Sequence, residues 1–381
     1  MIKIITIIGA RPQIIKSSAI SRAIKFNFSS YLEEVIVHTG QHYDNNMSDI
    51  FFKELGLDLP KYNLNIGSSS HGVQTAKMIE GLEEIFLKEL PQAIIVYGDT
   101  NSTIAGALAA SKLHIPIIHI EAGLRSFNKL MPEEVNRIAC DHMSTLLFTP
   151  TKTGLNNLKN EGFDINQPSR VDINQPGVFH CGDIMFDNSL YFSTISDNKS
   201  RIHELIGIDK NEYILATIHR DTNTDKKENL EAIFRALVDI TSIDKQSIVF
   251  PIHPRTRKMM KELLTEELLT SIESNEKIFL IDPVGFLDII ALEKYSSLII
   301  TDSGGIQKEA FFFEKPCVIV RNQTEWVEIV ENGNAVLVDA KQDMIVNAIS
   351  SFNKKSNLTY PDFFGNGDAS EFICKKIIEF I

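Results

Sequence analysis

The chain has little cysteine, one tryptophan, no excess of positive charge and no long apolar run, and each shortage removes a class of answers. Its four cysteines, Cys140, Cys181, Cys317 and Cys374, lie far apart, with no C-x-x-C pair and no histidine at zinc-finger spacing. That sets aside a disulfide framework and a structural metal, and the cysteines read as reduced thiols of a cytoplasmic protein. Lys and Arg total 38 against 50 Asp and Glu, a formal net charge of −12, so neutralising the phosphates of a nucleic acid is not what this surface does. A small anionic ligand needs only a local cluster of donors and stays open. No apolar stretch reaches the ~18 residues of a membrane-spanning helix. The opening MIKIITIIGARP is a short β-branched run closed by Arg11 and Pro12, the pattern of a buried strand rather than a secretion signal.

What is present is ordinary globular material. With 381 residues, 43% hydrophobic and 23% charged, the chain is too apolar for disorder and too long for a single core. Its first half repeats one theme: a β-branched run, a polar or glycine turn, then a helical stretch. IKIITIIG (2–9) precedes 12–25, VIVHTG (35–40) precedes a helix at 74–90, and AIIVYGD (93–99) precedes 102–113. IPIIHIEAG (115–123) then leads into 132–143, and TLLFTP (145–150) into 151–160. The theme restarts after residue 182 with YILATIH, SIVFPIH, KIFLID, SLIITDSGG and PCVIV. Strands apolar on both faces and alternating with helices imply parallel sheets covered on both sides. Two doubly wound α/β domains follow, over 1–180 and 181–367. The polar stretch 163–180, in which DINQP occurs twice, reads as a surface loop.

In such sheets ligands bind beyond the carboxyl ends of the strands, where the strand order reverses. Arg11 stands at the first strand end with Lys16 about one helical turn on, and a phosphate held by Arg11 and the helix N-terminus competes with a plain surface cation. Asp99, Glu121 and Glu133 follow strands or open a helix, so all three can face one cleft where crowding and burial favour proton transfer. Each has a structural rival: Asp99 as a helix cap, Glu121 as the i+4 partner of Arg125, Glu133 as a helix-dipole acid. His219-Arg220 ends the strand YILATI. His253 and Arg255 end the next, and the residues alone assign them no role. The sharpest feature is TDSGGIQKE, in which Ser303, Gly304 and Gly305 open a helix and let an anion approach closely, with Glu309 about one turn inside. Asp302 as a simple cap is the competing reading. A G-x-G-x-x-G fingerprint is absent, so NAD is not implied.

Taken in order, GARPQIIK, HTGQHYD, YGDTNST, HIEAGLRS, MPEEVNR, ATIHR and TDSGGIQKEA resemble the non-hydrolysing UDP-N-acetylglucosamine 2-epimerases over nearly the whole length. The resemblance implies a GT-B arrangement of two Rossmann-like domains with the active site in the cleft between them, and a C-terminal helix (about 368–381) that rejoins the first domain. It implies Asp99, Glu121, Glu133 and His219 as acid/base residues. Arg11, Lys16, Gln41, His42, Arg137, Arg220, Ser303, Gly304, Gly305 and Glu309 become contacts to UDP or substrate. No metal and no cofactor are implied, and the partners are a UDP-linked N-acetylated sugar and a second copy of the chain. The reaction is inversion at C2 by elimination and re-addition of UDP, for surface polysaccharide such as O-antigen. A hydrolysing 2-epimerase and a GT-B glycosyltransferase are the alternatives. Two departures stand out. The family's Thr-Glu-Arg-Pro-Glu is Thr324-Glu325-Trp326-Val327-Glu328 here, and its Gln-His-Arg-Glu is Gln41-His42-Tyr43-Asp44, in the segment tied to activation by substrate. Both resemble the branch acting on UDP-2,3-diacetamido-2,3-dideoxyglucuronate.

Overall fold

The computed structural model describes residues 1–40, 52, 54–166, 168–243 and 245–381; the expected contacts Gln41 and His42 lie outside them. The chain divides into two compact units, residues 1–188 with 362–381, and residues 189–361.

In the first unit, seven strands among the described residues form one sheet: β1 (Ile2–Ile8), β2 (Leu32–His38), β3 (Tyr62–Asn63), β4 (Ala93–Tyr97), β5 (Ile117–Ile120), β6 (Leu146–Thr149) and β7 (Gly177–His180). Their order is β3-β2-β1-β4-β5-β6-β7 and every pairing is parallel. The β-branched runs make this sheet because both of its faces are covered: Ile4, Ile5, Ile94, Ile95 and Ile118 are all fully buried, as a helix-flanked parallel sheet requires. One expectation needs correcting. Residues 177–180 are an edge strand rather than the end of a loop, paired with β6 from Leu146↔Gly177 to Thr149↔His180. Four residues behind a polar stretch carry too short a pattern to stand out, yet Phe179 stacks on Phe148 at 5.7 Å.

The second unit has a parallel six-stranded sheet among the described residues: β8 (Tyr213–Thr217), β9 (Ser247–Pro251), β10 (Ile278–Ile281), β11 (Leu298–Thr301), β12 (Cys317–Ile319) and β13 (Ala335–Leu337), in the order β10-β9-β8-β11-β12-β13. Both units are therefore Rossmann-like, and each has one reversal of strand order, at β1/β4 and at β8/β11.

The helix Ala369–Phe380 packs on the helix Arg11–Ala23 and so completes the first unit. Its start is fixed by Asp187, whose carboxylate accepts from the backbone N–H groups of Ala369 (3.2 Å) and Ser370 (2.8 Å) and from the Ser370 hydroxyl (2.6 Å). Phe372 and Phe380 close on Phe179 at 6.3 and 5.7 Å.

Candidate active site

Each reversal point carries a cluster of polar groups. At β1/β4, Gln13 ties the two strand ends together. Its carbonyl accepts from Gly9 N–H (2.9 Å) and Ala10 N–H (3.1 Å), while its amide donates to the Tyr97 carbonyl at 3.0 Å. This fixes the start of the helix Arg11–Ala23, with Arg11 exposed at its first turn. One turn later Lys16 forms an ion pair with Glu121, and Arg137 pairs with Asp99 and, at 2.6 Å, with Glu134. Four expected site residues, Lys16, Asp99, Glu121 and Arg137, thus line one spot. Burial raises the Asp99 carboxyl above its ordinary value, a shift that Arg137 opposes and Glu121 reinforces. A carboxylate moved upward is better matched to proton transfer near neutral pH.

Two backbone features hold this geometry. Gly98 has φ +61°, and a Cβ there would meet Glu121 Oε2 at 3.1 Å and Lys16 Nζ at 3.5 Å, so a side chain would strain the turn and crowd the ion pair. Glu121 itself sits at φ +72°, in the left-handed region that costs an L-residue about 1–2 kcal/mol. Strain of that kind persists where surrounding contacts enforce it, often at functional sites.

The structural rivals of Asp99 and Glu121 give way, whereas Glu133 keeps the place in a helix first turn that its rival reading gives it. Thr100, not Asp99, caps the helix Asn101–Lys112, because its hydroxyl faces the Thr103 N–H. Glu121 pairs with Lys16 instead of Arg125, since the left-handed turn after β5 breaks the i+4 geometry. Arg125 turns to Asp141 at 2.7 Å and Glu161 at 2.6 Å. Of the adjacent acids, Glu133 is exposed on the first turn of the helix Pro132–Met143. Glu134 is buried and accepts from the N–H groups of Ser126 (3.0 Å) and Phe127 (2.9 Å).

At β8/β11 the organising group is Asp302, fully buried. It accepts from the N–H groups of His219 (3.1 Å) and Arg220 (3.0 Å) and from the Asn223 amide (3.0 Å), and lies 3.2 Å from the half-exposed His219 ring. Burial alone would raise its carboxyl, but the His219 ring and these donors hold it below the ordinary carboxylate range. The cap of the helix Gly304–Phe312 is Ser303, not Asp302. Arg220, lowered by burial and by nearby Arg321, joins a basic rim in which Arg321 grips Glu325 through two 3.0 Å bonds. Trp326 donates its indole N–H to the Gly304 carbonyl at 2.9 Å, so the segment 324–328 buttresses the glycine turn from outside. His253, unassigned from sequence, caps the helix Pro254–Leu263 by accepting from Arg255 N–H at 3.2 Å. Arg255 reaches Asp225 at 2.5 Å.

The glycine pair is not demanded by the protein's own packing. A Cβ at Gly304 would find Arg321 and Glu325 no nearer than 3.9 Å, and one at Gly305 would find Glu309 Oε2 and Ser303 Oγ at 3.9 Å. Neither glycine has positive φ. The open space lies over a helix N-terminus flanked by a hydroxyl and a carboxylate, a place for an anion with a neighbouring diol. Gly305→Ala therefore separates stability from binding. The added methyl favours the helix by about 0.5–1 kcal/mol, so thermal unfolding shifts upward or not at all. Calorimetric titration with UDP should show affinity reduced about tenfold, ~1.4 kcal/mol.

The family pattern of UDP-N-acetylglucosamine 2-epimerase matches residues 25–378. The chain is 48% identical over 376 residues to the UDP-2,3-diacetamido-2,3-dideoxy-D-glucuronate 2-epimerase of Pseudomonas aeruginosa, covering 98% of this chain and 99% of that protein. It is 43% identical over 376 residues to the UDP-N-acetylglucosamine 2-epimerase of Methanocaldococcus jannaschii, covering 98% of each. The crystal structure of the Methanocaldococcus jannaschii enzyme in complex with UDP-GlcNAc and UDP superposes with a TM-score of 0.84 at 42% identity, over 99% of this chain and 100% of that one.

Proposed function

We propose, from the premise that this chain belongs to the UDP-N-acetylglucosamine 2-epimerase family, that it inverts C2 of UDP-2,3-diacetamido-2,3-dideoxyglucuronate by eliminating and re-adding UDP. The observation that carries the reaction type is the pair of clusters at the two strand-order reversals, carboxylates with Lys16 and Arg137 on one sheet and a glycine turn opening a helix on the other.

The chemistry needs both. A C2 proton without an adjacent carbonyl is not acidic enough for simple removal, so C2–H cleavage accompanies cleavage of the anomeric C–O bond. Anti elimination gives UDP and the glycal of that uronate, which keeps both acetamido groups and the C6 carboxylate. Syn addition re-forms the anomeric C–O bond and returns a proton to C2 from the other side. Asp99, Glu121, Glu133 and His219 are assigned the proton transfers, and burial raises the Asp99 carboxyl in the direction that suits a general acid. Arg11, Lys16 and Arg220 with the Ser303-Gly304-Gly305 turn are assigned the diphosphate. Holding the departing UDP matters as much as the base, because negative charge develops there. Glu309, 3.9 Å from the Cβ position of Gly305, is assigned the ribose diol.

The sugar assignment rests on the segment 324–328, where Trp326 and Val327 replace the family's Arg-Pro, and on the 48% identity to the diacetamido-glucuronate enzyme. Proton NMR in deuterium oxide tests both halves. The expected result is faster conversion of the diacetamido uronate than of UDP-N-acetylglucosamine, with deuterium entering C2. Conversion without label removes the mechanism, and a preference for UDP-N-acetylglucosamine removes the sugar assignment. Stoichiometric free UDP and free sugar reassign the chain to hydrolysing epimerases. Turnover only with an added acceptor makes it a glycosyltransferase.

A further inference from the structure

Below the strand tips of the first unit lies a buried ionic network that the proton transfers do not themselves use. His119 is the third residue of β5, fully buried between Ile118 and Ile120. Its Nδ1 stands 2.7 Å from Asp141 Oδ1 and its Nε2 stands 2.8 Å from the Gly98 carbonyl oxygen. A carbonyl oxygen can only accept. The Asp141 carboxylate also accepts, from Gly123 N–H at 3.1 Å, and pairs with Arg125 at 2.7 Å. With acceptors at both ends, both ring nitrogens carry hydrogen and the ring is an imidazolium. Burial works against that charge, but Cys140 and Asp141 outweigh it and move the ring well above its ordinary range.

Both ends of this strut reach backbone beside proposed catalytic groups. Gly98 immediately precedes Asp99 and has φ +61°, while Gly123, held by Asp141, lies two residues beyond Glu121 at φ +72°. Glycine adopts such a φ freely, but at Glu121 the left-handed backbone costs about 1–2 kcal/mol and has to be held by its surroundings. Both positions are joined through one ring and one carboxylate.

We infer that His119 is a positioning residue for the epimerisation, a charged strut that ties Gly98 to Asp141 and so sets Asp99 and Glu121 against each other at the reacting carbon. The inference rests on the assignment of proton transfer to Asp99 and Glu121. The groups facing the pair are Cys140 on its own helix, Arg125 with Glu161 behind it, and Asp99, Glu121, Lys16 and Arg137 across the Gly98 carbonyl.

Two variants test it, with turnover expressed per folded site counted by UDP titration. His119→Gln can donate to only one of the two acceptors. It should lose about 10–100-fold in kcat, the size of effect that a misplacement near 1 Å produces, with KM within about threefold and UDP affinity unchanged. Asp141→Asn removes the partner that keeps the ring charged, so burial then lowers the ring's pKa. The sign follows: the wild-type ring stays protonated through neutral pH, whereas the variant's ring loses its proton as pH rises. The ratio of variant to wild-type kcat should fall about tenfold between pH 6 and pH 8. A merely structural role would lower the folded fraction and leave kcat per site and that ratio flat. Either kcat per site within twofold of wild type in His119→Gln, or a pH-independent ratio in Asp141→Asn, overturns the inference. Should His119→Gln fail to fold, the Asp141→Asn ratio decides. A wild-type protein inactive on every UDP-sugar would count against the proposed function instead, with these ratios undefined from the start.

Discussion

Replacing Glu121 by Gln should lower kcat by about 10²–10⁴-fold, the range lost when a positioned acid or base is removed, while the unfolding temperature falls because the mostly buried Lys16 ammonium loses its partner. The substitution keeps the shape of a side chain that is mostly buried beside Lys16 but removes its capacity to take or give a proton. It also leaves the Lys16 ammonium facing a neutral amide, so part of the loss is electrostatic. Conversion followed by NMR, with deuterium entry at C2 measured separately, distinguishes the two contributions: a lost proton transfer suppresses label and product together. Near-wild-type turnover in Glu121→Gln would take the residue off the catalytic assignment and leave it as an anchor for Lys16.

The second large effect is expected on stability. Asp302→Ala strands the N–H groups of His219 and Arg220 and the amide of Asn223, all satisfied by one buried carboxylate. Buried donors without partners cost about 1–3 kcal/mol each. Because the His219 ring is half exposed and water can reach part of the site, about 3 kcal/mol in total is expected. Urea unfolding of wild type and variant measures it. The pH dependence has a definite sign. The folded carboxyl lies below its ordinary value, so its contribution is complete above the ordinary carboxylate range and is lost as pH falls through the lower, folded value. The gap between the two proteins should therefore be full at pH 7 and close in strong acid. A gap that persists at low pH would mean that the alanine cavity, not the carboxylate, is responsible.

How much of this was legible in the sequence depended on whether a pattern had a period. The parallel strands were, because runs such as IKIITII and AIIVY are apolar on both faces and end in polar turns. The strand tips then pointed to Lys16, Asp99, Glu121 and Arg137, which the fold brings together. Glu134 could not be told from Glu133 by helical spacing, because Glu133 falls within the same arc as the buried Glu134, Arg137, Cys140 and Asp141 and differs only in standing at the exposed start of the helix. His119 was hidden for a different reason. A histidine inside IIHI looks like a strand residue, and its partner Asp141 lies 22 positions away on a helix, a distance that no local period reports. The rival pairing of Glu121 with Arg125 gives way because the i+4 rule presumes a helix, and the chain at Glu121 turns left-handed instead. The short strand β7 escaped because GVFH, unlike the equally short LLFT of β6, carries no run of large apolar residues and follows a polar stretch.

The helix Ala369–Phe380 has a further consequence for how the protein comes into being. It belongs to the first unit although the whole of the second is written before it. On the ribosome, where domains usually finish in the order they emerge, this order is reversed. The segment 189–361 can fold while the sheet begun at Ile2 still waits for the partner of its first helix, with Asp187 and Phe179 uncovered until residues 369–380 arrive. The early-made half is thus completed last.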